Sequence, residues 1–157
     1  MENTQHTHYI LYTIGFGKKS AEDFFTIIRN NHVKHVIDVR LSNTTAMAFY
    51  TMRRDFPFLL KEICQCDVIY MPQWAPTKNI LENYKAKESD PNKISWEEYE
   101  REFINIMNKR HIENSIQLES LNGSCLLCSE PTPEHCHRRL LAEYFQSIYP
   151  ELTIKHL

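Results

Sequence analysis

An open, mostly parallel α/β sheet of about four to five strands, with helices on its faces and all in a single domain, is what this sequence predicts. Three observations predict it. Short β-branched and aromatic runs alternate with amphipathic helical stretches along most of the chain. The runs are closed by glycine, proline or helix-cap residues rather than by long polar linkers. A length of 157 residues is that of one ordinary domain, and no internal repeat or low-complexity segment divides it.

In chain order, residues Met1–Thr7 are polar and expected to fray. Tyr9–Ile14 (YILYTI) reads as a buried strand ended by Gly15-Phe16-Gly17. Ser20 is an N-cap with Asp23 at the third helical position; Phe24, Ile27 and Ile28 follow at helical spacing until Asn30-Asn31. His35–Val39 is the second strand, and a helix between two strands makes a right-handed parallel βαβ unit. Leu41–Ala48 is irregular. Phe56–Ile63 reads as a helix with Pro57 in its first turn, Asp67–Met71 as a third strand stopped by Pro72, and Thr77–Lys87 as a helix. Ser95-Trp96-Glu97-Glu98 is a full capping box opening a helix to about Lys109. Ser124–Cys128 (SCLLC) is a short apolar strand. Thr132-Pro133-Glu134 carries cap, first-position proline and acid, and so predicts a helix from there to about Ile148; Thr153–His156 is a last short strand.

Composition narrows the function classes. Hydrophobic residues are 42% and charged residues 24%, which is globular rather than disordered. A formal net charge of -2 gives no general attraction to nucleic acid or anionic lipid. No stretch has the roughly 20 apolar residues of a membrane span, and Met1–His8 lacks an apolar signal core. The expected location is therefore the cytoplasm, with the five cysteines (64, 66, 125, 128 and 136) as reduced thiols.

In open parallel sheets, ligands bind beyond the carboxyl ends of the strands, near a switch in strand order. That rule selects Gly15–Ser20, Asp38–Arg40 and Cys128–Arg139. The segment C-L-L-C-S-E-P-T-P-E-H-C-H-R-R (Cys125–Arg139) carries the most chemistry. Its spacing invites a zinc set of Cys125, Cys128, Cys136 and His137. A strand, however, throws residues three apart to opposite faces, so Cys125 reads as a buried hydrophobe and neither metal nor cofactor is expected. Cys128 and Glu130 share a face at the strand's exit. Cys136 falls in the first turn of the next helix, where the macrodipole favours the thiolate, and His137 and Arg138 add an acid/base and an anion clamp. The alternatives are that Cys136 packs in the core, that Glu130 pairs with Arg138 or Arg139, and that Arg139 pairs with Glu143 at i,i+4. Gly15, Gly17, Lys18 and Lys19 offer backbone amides and two cations to a phosphate, or the glycines serve only as turn formers. Asp38 and Arg40 share a face and either pair with each other or reach a ligand. Tyr70, Trp74 and Tyr84 suit stacking on a flat ring or filling the core. Arg53-Arg54 near Lys61 is the best local basic cluster, with a solvated face as its default.

The motifs Y-T-I-G-F-G (Tyr12–Gly17), V-I-D-V-R (Val36–Arg40) and Cys125–Arg139, with A-P-T-K (Ala75–Lys78), I-S-W-E-E-Y (Ile94–Tyr99) and I-K-H-L (Ile154–Leu157), resemble the family called domain of unknown function 488. The resemblance implies a compact bacterial or archaeal α/β domain and brings no established reaction. It makes Glu130, Cys136, His137 and Arg138 the residues to test first. Many relatives have histidine and serine where this chain has Phe16 and Gly17, and an arginine-rich segment where it has Leu41–Ala48. The I-D-V-R strand is also similar to that of rhodanese-type sulfurtransferases, whose cysteine-headed anion loop is missing here.

The functional expectation is a small enzyme with an anionic small-molecule or nucleotide-like ligand. Glu130, Cys136 and His137 would be catalytic; Gly15, Gly17, Lys18, Lys19, Asp38, Arg40, Cys128, Arg138 and Arg139 would bind the ligand. The alternatives are a non-catalytic binding or adaptor module, and sulfur-transfer or redox chemistry at Cys136.

Overall fold

The computed structural model describes residues 8–44 and 46–157; the expected frayed tail, Met1–Thr7, lies outside them. Five strands form one sheet: β1 (Tyr9–Gly15), β2 (His35–Asp38), β3 (Asp67–Tyr70), β4 (Ser124–Cys128) and β5 (Leu152–His156). Their order is β3-β2-β4-β1-β5, and every neighbouring pair is parallel. The helices are α1 (Ala21–Asn30), α2 (Phe56–Cys64), α3 (Lys78–Lys85), α4 (Trp96–Arg110), α5 (Leu118–Leu121) and α6 (His137–Ile148). The expected α/β class holds, and the sheet is parallel throughout.

Period-2 alternation decides which side each strand residue feeds. Leu127 and Cys125 of β4 pack with Phe24, Ile28, Phe56 and Leu60 of α1 and α2. Leu126 packs on the other face with Phe103, Met107, Leu140 and Phe145 of α4 and α6. The connection leaving β1 thus runs over one face, toward β2, while that leaving β4 runs over the other, toward β5. Adjacent strands whose connections part in opposite directions leave a crevice beyond their carboxyl ends. That is where the site lies.

Local signals place most helix starts. Ser20 Oγ accepts from the Asp23 amide at 3.0 Å; the Asp23 carboxylate takes the Ser20 hydroxyl proton at 2.8 Å rather than a backbone amide. Ser95 and Glu98 form the reciprocal capping box. Thr77 caps α3 from outside, so that helix is shorter than Thr77–Lys87.

One helix start differs from the expectation. α6 begins at His137 with Cys136 as N-cap, not at Thr132. Residues 131–136 instead form a turn, closed by the Cys136 amide on the Pro133 carbonyl at 3.2 Å. The reason is tertiary: the Arg138 guanidinium holds the Glu130 carbonyl at 2.7 Å, folding this segment back over β1. A cap, a proline and an acid do not outweigh a charge-assisted bond from a buried guanidinium. The short helical segments at Ile112–Ser115 and Leu118–Leu121 have no counterpart in the sequence reading.

Candidate functional site at the strand ends

The loops leaving β1 and β4 lie against one another. The Phe16 amide donates to the Cys128 carbonyl at 3.2 Å and the Gly17 amide to the Ser129 carbonyl at 2.9 Å, extending the parallel ladder past both strands. This close approach is what the glycines permit. A Cβ on Gly15 would sit 1.6 Å from the Glu130 carbonyl oxygen, and one on Gly17 2.6 Å from that of Ser129. The anion cradle expected at Gly15–Lys19 therefore loses the amides of residues 16 and 17, which are spent on β4's exit. Gly15 itself is sealed beneath the Glu130 backbone.

Beside these loops opens a cavity of about 510 Å³. Gly17, Lys18, Arg40, Cys128, Glu130, Cys136 and His137 all line it, so three segments far apart in sequence share one hollow. Gly15, Lys19, Asp38, Arg138 and Arg139 are not among its lining residues.

Asp38 supports the cavity from below. Its carboxylate takes a bidentate pair from Arg40, at 2.9 Å and 2.8 Å, and Arg40 also donates to the Thr51 hydroxyl and carbonyl at 3.0 Å and 2.7 Å. Four of the five guanidinium N–H groups are thereby used, which leaves one for a ligand. Arg138 is fully buried, donating to the Glu130 carbonyl at 2.7 Å, the Cys136 sulfur at 3.3 Å and the Thr13 hydroxyl at 3.4 Å. The expected anion clamp is thus a buried brace under the floor. Arg139 turns outward to Glu143 at 2.9 Å, the i,i+4 pair anticipated, and to Glu100 at 3.7 Å. Neither arginine forms a salt bridge with the Glu130 carboxylate. Burial, with Arg138 nearby, lowers the Lys19 ammonium below its usual value.

The floor is a knot of three buried donors. Ligand atoms of Cys128, Cys136 and His137 all lie within 4.8 Å of one another. Cys128 ends β4 on the face toward α6; Cys136 and His137 open α6. His137 Nε2 lies 2.8 Å from the Val39 carbonyl, and its Nδ1 lies 3.6 Å from the Cys128 sulfur. Cys125, on the opposite sheet face, takes no part, as the strand argument required.

The acidic thiol is not Cys136. The hydrogen bond from Cys136, against the cost of burial and with the charge of His137 assisting, holds Cys128 well below the usual thiol value. The same hydrogen bond, with burial and the Cys128 charge, pushes Cys136 far up. Burial opposes charge on His137, but the Cys128 thiolate and the Val39 carbonyl outweigh it and raise that imidazole. A helix dipole at the N-cap is weaker than a thiol–thiolate contact inside a buried knot.

One wall was legible only through Tyr84. Trp96, Tyr99 and His135, which the sequence reading did not single out for it, line the cavity with that residue. Trp96 stacks on Tyr99 with ring centroids 5.1 Å apart and lies 5.0 Å from His135. Trp96 reads in the sequence only as part of a capping box, although its I-S-W-E-E-Y motif marks it. Of the other aromatics considered for stacking, Trp74 is core, its indole N–H bound to Ser115 Oγ at 2.9 Å, and Tyr70 lies under Arg53 at 4.6 Å. The basic cluster is spent locally, Arg54 on Asp55 and Lys61 on Asp67.

A parallel sheet whose switch-point crevice holds a cavity with titratable residues at its floor defines the class: an open α/β protein with a cavity at its strand ends. Comparison of the sequence with protein families gives the narrower assignment. The chain belongs to the family described as Domain of unknown function DUF488, whose model matches residues 20–145 and so includes Asp38, Arg40 and the whole Cys128–Arg139 segment. No match was found among curated proteins or among solved structures. Among the described residues no helix is long and apolar enough to cross a membrane.

Proposed function

We propose that this protein is a small enzyme whose strand-end cavity takes a phosphate-bearing, nucleotide-like ligand. One observation carries the reading: a single cavity joins an aromatic wall, a cationic rim and a floor of titratable groups. Trp96, Tyr84 and His135 give the cavity an aromatic lining suited to a flat ring. Lys18 and Lys85 stand at the rim with the remaining N–H of Arg40, and these suit an anionic group. Glu130, also on the lining, orients or activates a nucleophile.

The test is a thermal-shift screen of the whole chain against nucleoside mono- and diphosphates, sugar phosphates and inorganic phosphate. A stabilising ligand is expected whose effect is lost in Trp96→Ala and weakened in Lys18→Ala, with Glu130→Gln retaining binding but losing turnover. Failure of every phosphate-bearing compound to raise the melting temperature would overturn the reading.

A further inference from the structure

We propose that Cys128, Cys136 and His137 form a zinc site whose fourth position opens into the strand-end cavity. Two sulfurs and an imidazole are the soft and borderline donors that zinc prefers among abundant divalent cations. The spacing agrees. Zinc–sulfur and zinc–nitrogen bonds of usual length, at tetrahedral angles, put neighbouring ligand atoms roughly 3.5–3.8 Å apart. Nδ1 of His137 is 3.6 Å from the Cys128 sulfur, and the three donor atoms all fall within 4.8 Å of one another.

Two surrounding contacts point the same way. His137 Nε2 meets the Val39 carbonyl at 2.8 Å, so that nitrogen donates its N–H and Nδ1 is left as the free donor, 3.6 Å from the Cys128 sulfur against 3.8 Å for Nε2. A ring nitrogen tied to a backbone carbonyl is the usual outer support of a metal-bound histidine. Arg138, fully buried, reaches the Cys136 sulfur at 3.3 Å; among the described residues it has no carboxylate partner and its second terminal nitrogen has no hydrogen-bond partner. A buried guanidinium calls for negative charge nearby, and deprotonated sulfurs supply it. Two thiolates, a neutral imidazole, zinc and Arg138 together leave one net positive charge, which favours an anion or hydroxide in the open position.

All three residues line the cavity, so a metal they held would keep its fourth place, on the cavity side, for water or substrate, as in catalytic rather than closed structural sites. Binding forms two Zn–S bonds and one Zn–N bond; any protons on those atoms pass to solvent, and no electron is transferred. This inference concerns the same cavity but does not depend on which organic ligand enters it.

Zinc itself is the probe. The full chain, reduced, loaded with zinc and dialysed, is expected to hold one zinc per chain by mass spectrometry. Cys128→Ser, Cys136→Ser and His137→Ala should each lose it, while Cys125→Ala and Cys64→Ala keep it. Cobalt(II) added to metal-free wild type gives a second readout that does not depend on variant folding: thiolate-to-cobalt charge-transfer absorption with tetrahedral visible bands. Absence of stoichiometric zinc in the reduced wild type, or an octahedral cobalt spectrum without those bands, would overturn the assignment. Equal metal loss in Cys125→Ala would overturn it too. Zinc binding without any phosphate ligand would sink only the preceding proposal; the reverse result would sink only this one.

Discussion

Replacing Gly15 with alanine places a methyl carbon 1.6 Å from the Glu130 carbonyl oxygen, 2.8 Å from its carbonyl carbon and 2.9 Å from the Arg138 guanidinium. Real Cβ contacts are essentially never under 3.0 Å, so the loop after β4 must recede by about 1.4 Å. Backbone on one side and a fully buried arginine on the other leave no flexible side-chain tip to swing away. Such a shift breaks the 2.7 Å bond from Arg138 to the Glu130 carbonyl, worth roughly 1.5–3 kcal/mol as a charged hydrogen bond. It also strains the Phe16–Cys128 backbone bond, roughly another 1 kcal/mol. Reduced freedom of the unfolded chain returns about 0.4–1 kcal/mol. The net expectation is a loss of about 2–3 kcal/mol, or roughly 5–10 °C in melting temperature for a domain of this size. Urea denaturation followed by tryptophan fluorescence measures it, with Gly17→Ala as the internal comparison. There the nearest contact is 2.6 Å, so the required shift, and the loss, are smaller. A Gly15→Ala protein within about 0.5 kcal/mol of wild type, or less affected than Gly17→Ala, would refute the idea that these loops are held in close contact.

Three other outcomes follow from the same geometry. Asp38→Asn leaves the buried Arg40 guanidinium without its bidentate partner and should cost about 3–5 kcal/mol by chemical denaturation; a loss below about 1 kcal/mol would mean the pair is not buried as described. Ser95→Ala removes one half of the α4 capping box and is expected to cost about 1 kcal/mol, visible as a fall of a few degrees in calorimetry. Burial first, and the Arg138 charge second, lower the His156 imidazole below its ordinary value of 6.5, so the unfolded chain takes up that proton more readily. Its contribution to stability is therefore present above pH 6.5 and lost as pH falls through the lower folded value. Nuclear magnetic resonance titration should place the His156 midpoint below 6.5, and a midpoint at or above that value would contradict its burial near Arg138.

Strand and helix order was written in local pattern. Alternating apolar runs, the Ser95 capping box and the Ser20 cap act over a few residues, so they survive being read without a fold. The chemistry was legible as a list of residue types in Cys125–Arg139, and less so as roles. Arg138 looks like an anion clamp in sequence but is the buried brace of the floor, because only the packed sheet puts Thr13 and the Glu130 carbonyl beside it. Trp96 looks like a cap neighbour but becomes a cavity wall through the pairing of α3 with α4.

The division follows from the range of the forces. What this sequence determined by itself was the α/β class, the position of its strands, and the fact that polar groups gather where strands end. Those depend on periodicity and on caps, which need only near neighbours. What the tertiary structure alone decided was strand order, the start of α6, which thiol is the acidic one, and the meeting of Cys128 with Cys136 and His137. Each of these depends on burial and on contacts between β1, β2, β4 and α6, and a low-dielectric interior makes such contacts strong enough to override the local signals.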